Sequence, residues 1–155
     1  MAEMLTLTPV CEVIVELGEP LDLGATRDGN RRITPILGGE LRGARIAPVG
    51  EEHVVDRNYL DLRAVILPGG SDRQLVRADG AIEIDARYTA QTDGGHLVGV
   101  RTVGIRRVSH DGTYFRVAVR FETASQSLTD LQDSIFIADG IRERSMVRHV
   151  VYRVD

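Results

Sequence analysis

The chain contains no lysine and no tryptophan, one cysteine, three phenylalanines and four tyrosines among its 155 residues. Each shortage excludes something. Without lysine there is no Schiff-base chemistry and no pyridoxal attachment, and all 19 basic residues are arginine. A single cysteine, Cys11, forbids an internal disulfide and suits a reducing compartment. It sits in an apolar alternation that reads it as a small buried hydrophobe. No apolar run approaches the roughly 20 residues of a membrane helix, and no basic stretch followed by an apolar one marks a signal peptide. No basic run tracks a phosphate backbone, and the net charge of −4 is spread in mixed sign. The expectation is a cytoplasmic protein without nucleic-acid or membrane partners.

Motifs for bound groups are missing as well. The Gly-Gly pairs at 38–39, 69–70 and 94–95 open no helix, so neither a dinucleotide fingerprint nor a P-loop is present. His53, His96, His110 and His149 lie far apart without ligand spacing, so no metal is expected. Ser71 beside Asp72 belongs to a turn sequence, and the G-x-S-x-G elbow is absent. No cofactor is expected.

What the chain has is alternation and turns. Sixteen glycines punctuate a series of strand-like segments, most of them alternating apolar with polar residues: Cys11–Leu17, Arg31–Leu37, Leu62–Leu67, Arg73–Arg77, Ala81–Thr92, Leu97–Arg107, Thr113–Thr123, Ser134–Ala138 and Arg148–Val154. Gly38-Gly39 predicts a break or bulge, after which the strand resumes weakly from Leu41 to Ile46. Pro68-Gly69-Gly70, Asp79-Gly80, Asp93-Gly94-Gly95, Asp111-Gly112 and Asp139-Gly140 predict turns. Leu128–Gln132 predicts one helical turn, and Pro48–Asp61 a loop or short irregular helix. Strands at this spacing joined by tight turns predict one all-β domain over residues 1–155. Its form is a closed antiparallel barrel of about eight to ten strands, mainly up-and-down.

The candidate site rests on which strand faces point inward. Ala81–Thr92 sets Ile82, Ile84, Ala86, Tyr88 and Ala90 against Glu83, Asp85 and Arg87. Thr113–Thr123 sets Phe115, Val117, Val119 and Phe121 against Tyr114, Arg116, Arg120 and Glu122. These polar faces are either solvated walls with weak ion pairs or the lining of a lumen that holds one small ligand. In the second case Asp85 or Glu122 is the acid or base, Tyr88 or Tyr114 a hydrogen-bond donor, and Arg87 or Arg106 an anion clamp. Asp72 sits at the pocket mouth. Arg101 joins Arg106 in the lumen only if a bulge at Gly104 reverses their opposite parity.

The ordered set Arg31-Arg32-Ile33-Thr34-Pro35-Ile36-Leu37-Gly38-Gly39, Leu67-Pro68-Gly69-Gly70-Ser71-Asp72, Val76-Arg77-Ala78-Asp79-Gly80 and Ile84-Asp85-Ala86-Arg87-Tyr88 resembles the domain of unknown function 3237 family. Later pieces agree, among them Gly104-Ile105-Arg106, Arg120-Phe121-Glu122-Thr123 and Val151-Tyr152-Arg153-Val154. The resemblance implies a small closed barrel with a pocket, often dimeric, without an agreed activity. Arg73 stands where members commonly carry an aromatic residue, and Gln132 where they tend to carry asparagine. Three functions remain open. One is a cofactor-free isomerase, cyclase or lyase of secondary metabolism acting on a small, largely apolar metabolite. Another is a binding barrel that carries or sequesters such a ligand. The third is a structural or oligomeric protein with a plugged lumen.

Overall fold

The computed structural model describes residues 3–43 and 62–155. It contains ten strands in one antiparallel sheet: β1 (Leu7–Leu17), β2 (Leu21–Thr26), β3 (Gly29–Gly43), β4 (Arg63–Ile66), β5 (Gly70–Val76), β6 (Ile82–Thr92), β7 (Leu97–Ser109), β8 (Gly112–Thr123), β9 (Ile135–Glu143) and β10 (Met146–Val154). Pairing of β1 with both β10 and β3 closes the barrel. Two pairs of strands act as single bent staves. β1 and β2 lie end to end along β3, with Leu17 opposite Ile36 and Leu21 opposite Ile33. β4 and β5 likewise share the slot between β3 and β6. Eight staves result, each joined to its neighbour, in the up-and-down order that the alternation predicts.

Pro68-Gly69-Gly70 is therefore not a hairpin but a corner within one stave. Gly69 takes φ 111° there, and the Leu67 N–H bridges the corner to the Thr89 carbonyl at 2.8 Å. The Gly38-Gly39 bulge is present: Glu16 faces Gly38 and Leu17 faces Ile36, so Leu37 is the extra residue. The bulge expected at Gly104 is absent, because β7 pairs β8 without a register shift from Val98 to Ser109. Gly104 answers to crowding instead, since a Cβ there would lie 2.1 Å from the Arg116 carbonyl oxygen. Asp139-Gly140 is not a turn either. β9 runs straight through it, and Phe115 explains why: its ring fills the space of a Gly140 Cβ, 2.7 Å away. The loop expected at Pro48–Asp61, with His53, and the strand end near Ile46 lie outside the described residues.

Apolar positions of one parity fill the interior, including Val13, Val15, Leu41, Ile66, Val98, Val117, Phe121 and Phe136. Cys11 is among them and fully buried. A 3-10 turn, Gln126–Leu131, buries Leu128 and Leu131 at one end of the barrel. The other end, formed by the β2–β3, β5–β6, β7–β8 and β9–β10 turns, has no such plug among the described residues. There the inward parity turns polar.

Candidate functional site at the polar mouth of the barrel

Asp72 is the centre of that mouth. It follows the Pro68-Gly69-Gly70 corner on β5 at inward parity and is buried. One carboxylate oxygen accepts from Gln74 Nε2 at 2.8 Å, the other from the Asp85 backbone N–H at 3.2 Å. That amide is available because the β5–β6 ladder passes from the pair Asp72–Ala86 directly to Leu75–Glu83. Gln74 is buried and accepts in turn from Arg32 Nε at 2.9 Å. The chain Arg32–Gln74–Asp72 thus uses both ends of one amide and fixes its orientation. Burial pushes the Asp72 carboxyl above its ordinary value, and the two hydrogen bonds together with Arg106 only partly oppose it.

Two further arginines reach the same space. Arg106 on β7 continues the inward row Val98, Val100, Thr102 and Gly104, and its guanidinium lies 6.0 Å from the centre of the Phe115 ring. Arg142 on β9 continues the row Phe136, Ala138 and Gly140. Both are held below the ordinary arginine value, first by burial and then by repulsion from other guanidinium groups. Arg142 and Arg32 act on Arg106; Arg32 acts on Arg142; Asp72 opposes the shift in both. Arg106 and Arg142 thus share the mouth with Asp72, and Arg32 reaches it through Gln74. Like charges repel, and an anion between them removes that repulsion.

The remaining wall is aromatic and neutral. Phe115 meets the buried His149 edge-on, with ring centres 5.4 Å apart. His149 Nδ1 donates to the Asp139 carbonyl at 2.8 Å, and burial lowers its pKa. Deeper inside, the Tyr88 hydroxyl is buried without a hydrogen-bond partner, the one such side-chain atom among the described residues. Burial raises its pKa. Cys11 lies close enough to contribute to that shift, and burial pushes its own thiol up to about 12.

Of the residues expected at a site, the structure brings Asp72, Arg106 and Tyr88 to the inside. The others stand on the outer wall. Asp85 and Arg101 pair there, with Arg101 Nε and Nη2 at 3.1 and 3.3 Å from the Asp85 carboxylate. Arg87 and Glu122 are exposed at outward parity. Tyr114 is exposed and stacked under Arg107, whose guanidinium lies 4.1 Å from its ring centre. Strand parity thus separates the two sets, and Asp85 reaches the mouth only through its backbone N–H. Arg32, Gln74 and Arg142 were missed. Arg32 and Gln74 were legible from parity with Thr34 and Asp72, whereas Arg142 was hidden by reading Asp139-Gly140 as a turn. Among the described residues no group of three or more His, Cys, Asp or Glu side chains could hold a metal.

Sequence comparison matches residues 5–154 to a family described as protein of unknown function (DUF3237). A UPF0311 protein of Rhodopseudomonas palustris is 30% identical over 168 residues, covering 96% of this chain and 99% of the relative. Among solved structures, a beta-barrel like protein of Acinetobacter baumannii superposes with a TM-score of 0.85 at 27% identity, over 100% of this chain and 99% of that one. A protein described as an enzyme from Penicillium herquei superposes at 0.70 with 16% identity, over 100% and 98% of the two chains. At that identity the likeness is one of fold.

Proposed function

From the premise that the chain belongs to the DUF3237 family of proteins of unknown function, we propose that it processes a small, largely apolar metabolite bearing an anionic or enolisable oxygen at the polar mouth of its barrel. The reaction class is a cofactor-independent isomerisation, cyclisation or elimination. The observation that carries this reading is the buried Asp72, held by Gln74 and the Asp85 amide, with Arg32 bonded to that Gln74 and Arg106 and Arg142 on inward rows at the same mouth.

The roles follow from the chemistry. Asp72 is a carboxylate whose burial raises its proton affinity above that of an exposed aspartate, which makes it a better proton acceptor. In an isomerisation it removes a proton from the carbon beside the substrate carbonyl and returns it to another atom of the same molecule. The charge that develops on the substrate oxygen meets Arg106 and Arg142, which need little reorganisation because β7 and β9 hold them. Gln74 and the Asp85 amide orient Asp72 and are positioning groups. Phe115 and Ile82 offer the apolar flank. An enzyme-described relative in fold, the Penicillium herquei protein, is compatible with catalysis in such a barrel. The homodimer that the family resemblance implies belongs to the same proposal.

The test is capture followed by turnover. The protein is incubated with a metabolite extract of a related bacterium, washed, and its bound species are identified by mass spectrometry. An organic acid or enolisable ketone retained by the wild type and lost in Arg106→Gln supports the reading. Its conversion to an isomeric or smaller product by the wild type but not by Asp72→Asn completes it. Capture without conversion favours the carrier reading, and capture unaffected by Arg106→Gln sinks the site.

A further inference from the structure

We propose a second, separate binding site on the outer wall, for a small organic acid that carries a hydroxyl or ammonium group near its carboxylate. Its geometry is a groove of about 710 Å³ between the Leu67–Gly70 corner and the outer faces of β6, β7 and β8. That volume lies within the range of roughly 300–1,000 Å³ typical of small-molecule sites.

Three arginines cross the groove in direct register. Arg87 on β6 faces Arg101 on β7, and Arg101 faces Arg120 on β8. Like charges at directly opposed positions destabilise a sheet. Among the described residues only Arg101 is neutralised, by Asp85. Arg87 and Arg120 have no ion-pair partner among the described residues. One row away, Thr89 faces Gly99 and Gly99 faces Glu122. Glu122 also lines the groove, and its carboxylate is likewise without an ion-pair partner among the described residues. An acid lying across these rows places its carboxylate between Arg87 and Arg120 and its donor on Glu122.

Gly99 is the independent sign of a ligand. A glycine inside a strand weakens it and needs a reason. Gly99 has no positive φ, and a Cβ there would meet nothing closer than the Glu122 carbonyl oxygen at 3.6 Å, an ordinary contact. Neither backbone conformation nor packing asks for glycine at this position. What its missing side chain does is keep the floor of the groove open between Thr89 and Glu122, beside Pro68.

The test uses citrate as probe, titrated into ¹⁵N-labelled full-length protein with backbone amide shifts as readout. The expected result is saturable movement of the Gly99 and Arg101 amides, separable from any movement at Arg106 and Arg142 in the mouth. Arg87→Gln combined with Arg120→Gln should weaken binding at Gly99 by about tenfold or more, since hydrogen bonds to charged groups are worth that factor or more. Gly99→Val, a residue that suits a strand, should stay folded and fill the floor, with the same loss. Absence of a saturable shift at Gly99, or unchanged affinity in both variants, overturns the proposal.

Discussion

Gly140→Ala probes how the barrel's own packing holds the mouth. A Cβ at residue 140 would stand 2.7 to 2.8 Å from three atoms of the Phe115 ring. To reach ordinary contact at 3.4 Å the ring must retreat by about 0.7 Å. It cannot do so freely, because its edge contact with His149 and the Arg106 guanidinium occupy its surroundings. Overpacking of this kind costs about 1–3 kcal/mol. For a chain of this length each kcal/mol lowers Tm by about 2–4 °C, so the expected loss is about 2–12 °C. Gly99→Ala is the matched control. The same methyl group meets only 3.6 and 3.8 Å contacts there, and replacing glycine at a compatible strand position stabilises by about 0.4–1 kcal/mol. Urea and thermal denaturation of the two variants read the difference. Equal stability changes in both, or an unperturbed Gly140→Ala, would refute the account of why β9 carries glycine mid-strand and of how Phe115 is fixed beside Arg106.

Asp72→Asn should change the pH dependence of stability. The folded Asp72 carboxyl lies above its ordinary 3.8 through burial, so the native state binds the proton more tightly than the unfolded chain does. Its contribution is fully present below the ordinary value and is lost as pH rises through the folded one; the stability gap in favour of the asparagine variant should therefore widen from acid to neutral pH, and a gap independent of pH contradicts this. Cys11, fully buried with its thiol pushed up to about 12, should resist a disulfide reagent at pH 8 in native buffer and react at once in denaturant; prompt native reaction would place it elsewhere. Tyr88→Phe removes a buried hydroxyl that has no partner, so stability to urea should be unchanged or higher by up to about 1 kcal/mol; a clear loss would mean that the hydroxyl is satisfied in the folded protein.

The barrel was legible because period-two apolar rows and Gly-centred turns are local signals. They located β6, β7 and β8 to within two residues and foresaw the Gly38-Gly39 bulge. Errors arose where a long-range contact overrode a local preference. Asp139-Gly140 has turn chemistry, but Phe115 needs the space that glycine leaves. Pro68-Gly69-Gly70 bends a stave without reversing it, because β4 and β5 both pair with β6. β2 was not foreseen, since its six residues are almost all exposed and carry no alternation. The polar rows were visible too, yet parity alone could not say which was inside until closure of the sheet fixed it. That one fact turns Asp85 and Glu122 outward and moves the proposed chemistry to Asp72, Arg106 and their neighbours.

The most direct measurement compares Asp72→Asn with Asp85→Asn on the substrate that capture identifies, following product formation by liquid chromatography and mass spectrometry. The Asp85 backbone N–H that holds Asp72 survives in Asp85→Asn, so that variant should retain turnover within a fewfold of wild type. Asp72→Asn should lose about a hundredfold or more, the contribution of a positioned acid or base. Turnover that survives in Asp72→Asn and disappears in Asp85→Asn would place the chemistry on the outer wall and contradict the account.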